Sequence, residues 1–389
     1  MNVCVLAPFR VIPQMNGAAR RVFEICAAIS SSGVSVILLH AGTSCIIERG
    51  FQVIGFPALE NCNATKHFQW SQALDTYLSS ANPALCRTLT QVMKKNKINI
   101  LQLEGPWSIL ATNLVKALDK VTVVYDSHNV ESLSVRFSSS VGWMWPWATL
   151  LEKKAVNSSE LVFCVSELDK TKMCHLYDLP GRKVVVVPNG VRNSNYRMDS
   201  GNMIRTRLGI SRNSKIVFFH GDLGWRPNAQ AAQIIVESIA PSFQRSPEIM
   251  FLIAGSHPSQ KILETARSSP NVRILGYVPD IEQYICAAEV CVAPMTTGSG
   301  TKLKILEYLA AGKPVVATQK AVEGLEVVNG IHGFVFDNVG EEFIRAIRAA
   351  MMPELSQKLG IRAKDFADHF DWSIIGEKII EAYESLLDN

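Results

Sequence analysis

The chain has 389 residues, enough for two or three domains with sizeable cores. Its 48% hydrophobic and 19% charged residues describe a globular, slightly apolar protein, and a formal net charge of +4 is too small to argue for a nucleic-acid partner. No apolar run approaches the roughly 18 residues of a membrane span, and nine scattered cysteines without metal spacing predict reduced thiols in a cytoplasmic setting.

The apolar start, Met1 to Pro8, has no basic leader and is interrupted by Arg10, so a first strand over Val3–Ala7 is expected rather than a signal peptide. A loop containing Asn16-Gly17 follows. A helix over Arg20–Ile29 is closed by Gly33, and Val34–Leu39 forms a second strand. This is a βαβ unit, whose first loop faces the ligand crevice. Gly17 fits a phosphate contact there, and a plain turn equally well. Residues 60 to 97 are polar and helical in character, with a basic end that reads as a solvated face. Ile98–Leu103 is a strand that ends at Glu104, on the crevice side. Val121–Tyr125 is another, emptying into Asp126-Ser127-His128-Asn129-Val130-Glu131. Polar chemistry at a strand C-terminus is where open α/β sheets bind ligands. A lone histidine there can also be a structural hydrogen-bonder.

Residues 141 to 155 carry Trp143, Trp145 and Trp147 with Lys153 and Lys154. Tryptophans beside lysines suit a peripheral membrane anchor. A helix packed into the first domain would bury them instead, and Pro146 at its first position favours that reading. Strands at Leu161–Val165 and Val184–Val187 follow, the latter ending in Pro188-Asn189-Gly190-Val191. Residues 193 to 213 are polar and irregular and predict a domain boundary. The second domain opens at Ile216–Phe219. Further strands are expected at Ile249–Gly255, Val272–Gly276, Val290–Ala293 and Val315–Thr318, with helices between them and a terminal helix reaching Leu387.

The most informative stretch is Val290 to Thr318. A buried strand closes at Pro294, a loop rich in Gly, Ser and Thr runs to Thr301, and Leu303, Ile305, Leu306, Leu309 and Ala310 recur at helical spacing. Gly312 and Pro314 stop that helix. Such a loop gathers backbone N–H groups at a helix N-terminus and binds anions, phosphates above all. Lys302 and Lys304 stand at the wrong end of the helix for its dipole, which a bound anion would explain. Glu307, one turn on, would suit a sugar diol. Helix packing alone is the competing account of the loop.

This stretch resembles the signature of retaining glycosyltransferases of the group 1, family 4 type. Glu307 through Val316 match its second half, with Ser299 where the first of two glutamates is expected. The resemblance extends to the first loop, the His128-Asn129 segment, Pro188-Asn189-Gly190-Val191 and the whole second half. It implies a GT-B fold, two Rossmann-like α/β domains facing each other across a cleft. Those domains are expected at 1–190 (acceptor side) and 214–372 (nucleotide-sugar donor side), with a linker at 191–213 and a terminal helix, 373–389, crossing back to the first domain.

The resemblance implies that Glu307 holds the ribose and that Ser299, Gly300, Thr301 and Lys302 line the diphosphate. His128 is implied to contact the donor sugar, with Asn129, Glu131 and Glu104 supporting it. Well-known members clamp the diphosphate with an Arg and a Lys in the loop that here reads His220 to Asn228. Arg226 is the cation in this loop, and its place differs, so Lys302, Lys304 and Arg226 are the expected counter-charges. Val278 is placed beside the nucleotide base. The expected activity is metal-independent transfer of a sugar, with retention, from a UDP- or GDP-sugar to a glycan, lipid-linked or small-molecule acceptor. No cofactor is expected, and no Asp-x-Asp triplet occurs. A nucleotide-sugar epimerase of the same fold and a non-catalytic transferase-like subunit are the alternatives.

Overall fold

The computed structural model describes residues 1–14, 16–43, 45–57, 82–109, 112, 121–136, 142–196 and 200–388. The chain divides into two units, Met1–Asn189 with Trp372–Asn389, and Gly190–Asp371.

The first unit is built on an eight-stranded sheet. Its strands are β1 (Asn2–Ala7), β2 (Ser35–Ala41), β3 (Cys45–Glu48), β4 (Phe51–Phe56), β5 (Ile100–Glu104), β6 (Thr122–Ser127), β7 (Leu161–Cys164) and β8 (Val184–Val186). They lie in the order β3-β4-β2-β1-β5-β6-β7-β8. Every pairing is parallel except that of β3 with β4. The β3–β4 hairpin has no counterpart in the sequence reading. It turns at Arg49 and Gly50, with φ of 44° and 86°. Besides the terminal helix, the α-helices among this unit's described residues are α1 (Gly17–Ser31), α2 (Pro83–Asn96), α3 (Glu131–Arg136), α4 (Trp145–Ser158) and α5 (Glu167–Tyr177). Of the polar segment 60 to 97, α2 is the described part; residues 60 to 81 lie outside the described residues.

Both faces of this sheet are buried, as a parallel sheet requires. Val3, Val5 and Ala7 point into one core with Val22, Ile25 and Ile29 of α1. Cys4 and Leu6 point into the other, with Leu151 and Ala155 of α4. The terminal helix, Trp372–Leu387, adds Ile375, Ile379 and Tyr383 to the first core. It approaches α1 closely at Gly376, where an added Cβ would stand 2.9 Å from the Ala28 Cβ.

The second unit has a six-stranded parallel sheet in the order β11-β10-β9-β12-β13-β14. These strands are β9 (Lys215–His220), β10 (Ile249–Ala254), β11 (Val272–Gly276), β12 (Val290–Ala293), β13 (Val315–Thr318) and β14 (Phe334–Phe336). The helices are α6 (Ser200–Arg207), α7 (Arg226–Ile234), α8 (Gln260–Arg267), α9 (Ile281–Ala287), α10 (Leu303–Ala310), α11 (Glu341–Ala350) and α12 (Pro353–Asp368). Strand order reverses between β9 and β12, and between β1 and β5 in the first unit. Such reversals open a crevice at the strand C-termini.

The described parts of the expected linker, residues 191–196 and 200–213, pack within the second unit. Val191 donates its N–H to Phe370 O at 2.8 Å, and Ile204 and Ile210 are buried in the second unit's core. Arg205 of α6 reaches Ala287 O at 3.1 Å and Ser214 O at 2.7 Å. The polar composition hides a helix because its few apolar residues are covered by α9, an element remote in sequence.

Candidate functional site

In the second unit the glycine loop leaves β12 and enters α10. Gly298 and Gly300 have φ of 112° and 65°, a region other residues rarely adopt. Gly298 also lies against the Trp225 ring, 3.2 Å from where a Cβ would stand. No side chain caps the start of α10. Ser299, Gly300 and Thr301, which precede it, are half-buried.

The two lysines there do different things. Lys302 folds back, its Nζ donating to Ser299 O at 3.1 Å and Gly300 O at 2.5 Å, and so holds the loop's shape. Lys304 is buried; its Nζ donates to Asn228 Oδ1 at 2.6 Å and lies 4.3 Å from the centre of the Phe219 ring. Burial brings the Lys304 ammonium down to about 7, against the pull of Glu307 and with a smaller push from Lys302. The amine fits because Gly221 has no side chain: a Cβ there would meet Nζ at 2.8 Å. Asn228 is itself held by donating Nδ2 to Asp222 O at 3.0 Å.

Glu307 is buried one turn further along α10, with a carboxylate oxygen 3.1 Å from His220 Nε2. His220 is the last residue of β9, at the strand-order reversal, and its N–H donates to Tyr308 Oη at 3.1 Å. Sequence reasoning gave no role to His220 or Asn228. The signal for both was position: a strand C-terminus, and the first turn of the helix that follows it. Arg226 is exposed at the start of α7, two residues before Asn228. Val278 lies two residues past β11, the edge strand, which β10 and β9 separate from β12.

In the first unit Gly17 is the opening residue of α1, and Asn16 caps that helix by accepting from Ala19 N at 2.9 Å. The sequence-predicted residues Glu104, His128, Asn129 and Glu131 come together at the C-terminal ends of β5 and β6. Glu104 is fully buried, and His128 Nε2 approaches its Oε2 at 2.7 Å. Asp126, also fully buried, lies 3.9 Å from the same nitrogen. Burial pushes the Glu104 carboxyl up, Asp126 adds to the push, and His128 and Gln102 oppose it. Desolvation first and Glu152 second raise Glu131 to about 7, while His128 and Asn129 pull it down.

Arg21, whose importance sequence reading missed, neutralises Asp126. Its Nε and Nη2 donate to the two carboxylate oxygens at 3.0 and 2.9 Å, and Nη1 donates to Asn189 Oδ1 at 3.1 Å. One ligand atom each from Glu104, Asp126 and His128 lies within 4.8 Å of the others, a spacing that a metal ion could use. Their donors and acceptors are instead satisfied by one another, by Arg21 and by Gln102. The cluster reads as a hydrogen-bonded charge network.

The tryptophan segment resolves as α4. Ala148, Leu151, Glu152, Ala155 and Val156 face inward, while Trp143, Trp145 and Trp147 are 63%, 42% and 50% exposed. Pro146 does start a packed helix, but the tryptophans stay outside. The buried carboxylate of Glu152 takes the inner position, accepting from Tyr177 Oη at 2.7 Å and from Glu131 N and Ser132 N, both at 2.9 Å.

Two family models match this chain: Glycosyltransferase Family 4 over residues 15–194 and Glycosyl transferases group 1 over residues 214–352. Sucrose-phosphate synthase from Thermosynechococcus elongatus superposes with a TM-score of 0.81 at 16% identity, over 100% of this chain and 99% of that one. Anabaena Alr3699/HepE, solved with UDP and glucose, superposes at 0.75 with 17% identity, over 99% and 100%. The EpsD putative glycosyltransferase of Bacillus subtilis is 24% identical over 248 residues, 61% of this chain and 64% of that protein. Phosphatidyl-myo-inositol mannosyltransferase of Mycobacterium leprae is 20% identical over 313 residues, 78% of each. The match with EpsD thus spans less than two thirds of that relative's length. Two parallel-sheet units, a glycine loop opening α10 and these matches together place the chain in the group 1, family 4 type of glycosyltransferases, with the GT-B fold.

Proposed function

We propose that this protein transfers a hexose, with retention and without a metal ion, from a nucleotide-diphosphate sugar to a hydroxyl acceptor. The observation that carries the reading is the cluster of buried Lys304, Asn228 and Glu307 with half-buried His220, beside the glycine loop. A diphosphate seated on the loop receives the backbone N–H groups of the turn, the N-terminal end of α10 and the Lys304 ammonium. Arg226 adds charge from the start of α7, and Lys302 keeps the loop in shape. An ionised Glu307 has only acceptors and takes hydrogen bonds from both ribose hydroxyls. As the sugar leaves, charge grows on the diphosphate, where these groups already stand. In the first unit His128 contacts the donor sugar, with Asn129 and Glu131 around it. Anabaena HepE has been crystallised with UDP-glucose, which makes uridine donors the first to try. Thermal shifts across UDP-, GDP-, ADP- and CMP-sugars test the reading, because a ligand bound by the folded state alone raises the melting temperature. A shift with one base and none with the others is expected. Absence of any shift would remove the donor site.

The acceptor we propose is lipid-linked. Trp143, Trp145, Trp147 and Leu150 are exposed on and before α4, and exposed Lys153 and Lys154 continue the same helix. Aromatic rings followed by basic residues match the boundary of an anionic lipid surface. Among the described residues no helix is long and apolar enough to cross a membrane, so this contact is peripheral. Co-sedimentation with phosphatidylglycerol vesicles, and none with phosphatidylcholine vesicles, is expected; Trp147→Ser with Lys154→Ser should release the protein. Recovery with neither vesicle, or equal recovery with both, would overturn it.

A further inference from the structure

We infer that Tyr383, on the terminal helix, is a positioning residue for His128, acting through Gln102 and Glu104. Four side chains from three distant segments form one buried chain of hydrogen bonds. The Tyr383 hydroxyl donates to Gln102 Oε1. Gln102 Nε2 donates to Glu104 Oε1 at 2.6 Å, and His128 Nε2 lies 2.7 Å from Glu104 Oε2. Tyr383, Gln102 and Glu104 are fully buried.

Each link fixes the next. An amide can present oxygen or nitrogen in either direction. An ionised Glu104 has only acceptors, so Gln102 must turn its NH2 to Glu104 and its oxygen to Tyr383, whose hydroxyl donates. Gln102 and Glu104 are two residues apart on β5, so their side chains share one face of the strand. With one oxygen taken by the amide, the Glu104 carboxylate offers the other to the imidazole. His128 Nε2 must then carry hydrogen, and Nδ1 is the atom left to a substrate. Among the described residues nothing hydrogen-bonds Nδ1. The other charged groups around the ring are Asp126 on β6, tied to Arg21 of α1, and Glu131 at the start of α3. The ring edge meets Phe9, with centroids 6.2 Å apart.

A polar Gln in the middle of a buried strand, between Leu101 and Leu103, is costly unless its bonds are used. A leucine would have packed there. The relay gives a reason for Gln102 and for a tyrosine, rather than a phenylalanine, at position 383. It also gives the terminal helix a part in the site beyond packing on α1. The effect on turnover rests on the sugar-contact role proposed for His128; the effect on the ring does not.

The test is 15N NMR of the histidine rings in the full-length protein, assigned with His128→Gln and titrated from pH 5 to 9. Wild type should show His128 protonated at Nε2 in its neutral form. Tyr383→Phe, which deletes one oxygen, and Gln102→Met should each mix the two tautomers. Glu104→Gln, which can turn its NH2 to the ring, should move the hydrogen toward Nδ1. If Tyr383→Phe and Gln102→Met fold and leave the His128 shifts as in wild type, the relay is wrong and Tyr383 only packs. If the tautomer changes but sugar transfer by Tyr383→Phe matches wild type, the relay stands and the catalytic reading of His128 falls.

Discussion

Lys304→Met keeps an unbranched stem on Phe219 and removes one buried charge. A charge-assisted hydrogen bond contributes about 1.5–3 kcal/mol, so nucleotide-sugar affinity should fall about ten- to a hundredfold. The position of the ammonium adds a sharper signature. Burial holds Lys304 near 7 in the free protein, so the amine is charged below that pH and increasingly neutral above it. Binding a diphosphate requires the charged form. Apparent affinity should therefore scale with the charged fraction and weaken about tenfold between pH 6 and pH 8. The diphosphate of a nucleotide sugar is esterified at both ends and contributes no titration of its own in this window. Calorimetry with UDP-glucose, or whichever donor gives a thermal shift, should show uptake of nearly one proton at pH 8 when buffers of different ionisation enthalpy are compared. Ligand-free stability should move oppositely. The unfolded chain binds the extra proton between pH 7 and the ordinary lysine range. Wild type should thus gain stability relative to Lys304→Met as pH rises, by at most about 1.4 kcal/mol per unit. Affinity in wild type that ignores pH, or that survives Lys304→Met unchanged, would refute the placement of the diphosphate.

Glu307→Gln should cost about 1.5–3 kcal/mol of donor affinity, and the loss should vanish for a dideoxyribose analogue that lacks both hydroxyls; titrating both ligands against both proteins checks it. His128→Ala should lower turnover far more than donor affinity, read as kcat against the dissociation constant. Arg21→Met should destabilise the first unit by about 3–5 kcal/mol in urea, because Asp126 would stay buried without its counter-charge. Indifference of the urea midpoint to Arg21→Met would mean that the buried pair does not hold the first unit together.

Much of the fold was legible because it is written in local patterns. Val290–Ala293, the glycines that follow, the spacing of Leu303, Ile305, Leu306 and Leu309, and the Gly312 stop each constrain a few neighbouring residues, and strand, loop and helix formed there. Strands that end in polar residues pointed to Glu104 and His128 for the same reason. The structure departs where burial is decided from far away. Residues 193 to 213 looked irregular until α9 covered Ile204. The tryptophans of α4 looked like core residues, yet Glu152 and Leu151 took the inner face.

Charge partners were the least readable feature. Arg21 lies on a helix whose composition gives no sign that its guanidinium is buried on Asp126, 105 positions away. Tyr383 and Gln102 are separated by 281 positions, and nothing near either one announces the other. By itself the sequence determined most of the strands and helices, the glycine loop that opens α10 and the polar strand ends at Glu104 and His128, since backbone preference and one-sided burial act over a turn or a pleat. Only the tertiary structure decided that Lys304 is a buried amine on Asn228, that His220 faces Glu307 and that His128 is backed by a carboxylate. A side chain's protonation and aim depend on what desolvates it and what bonds it, and those groups are brought together by the packing of distant segments.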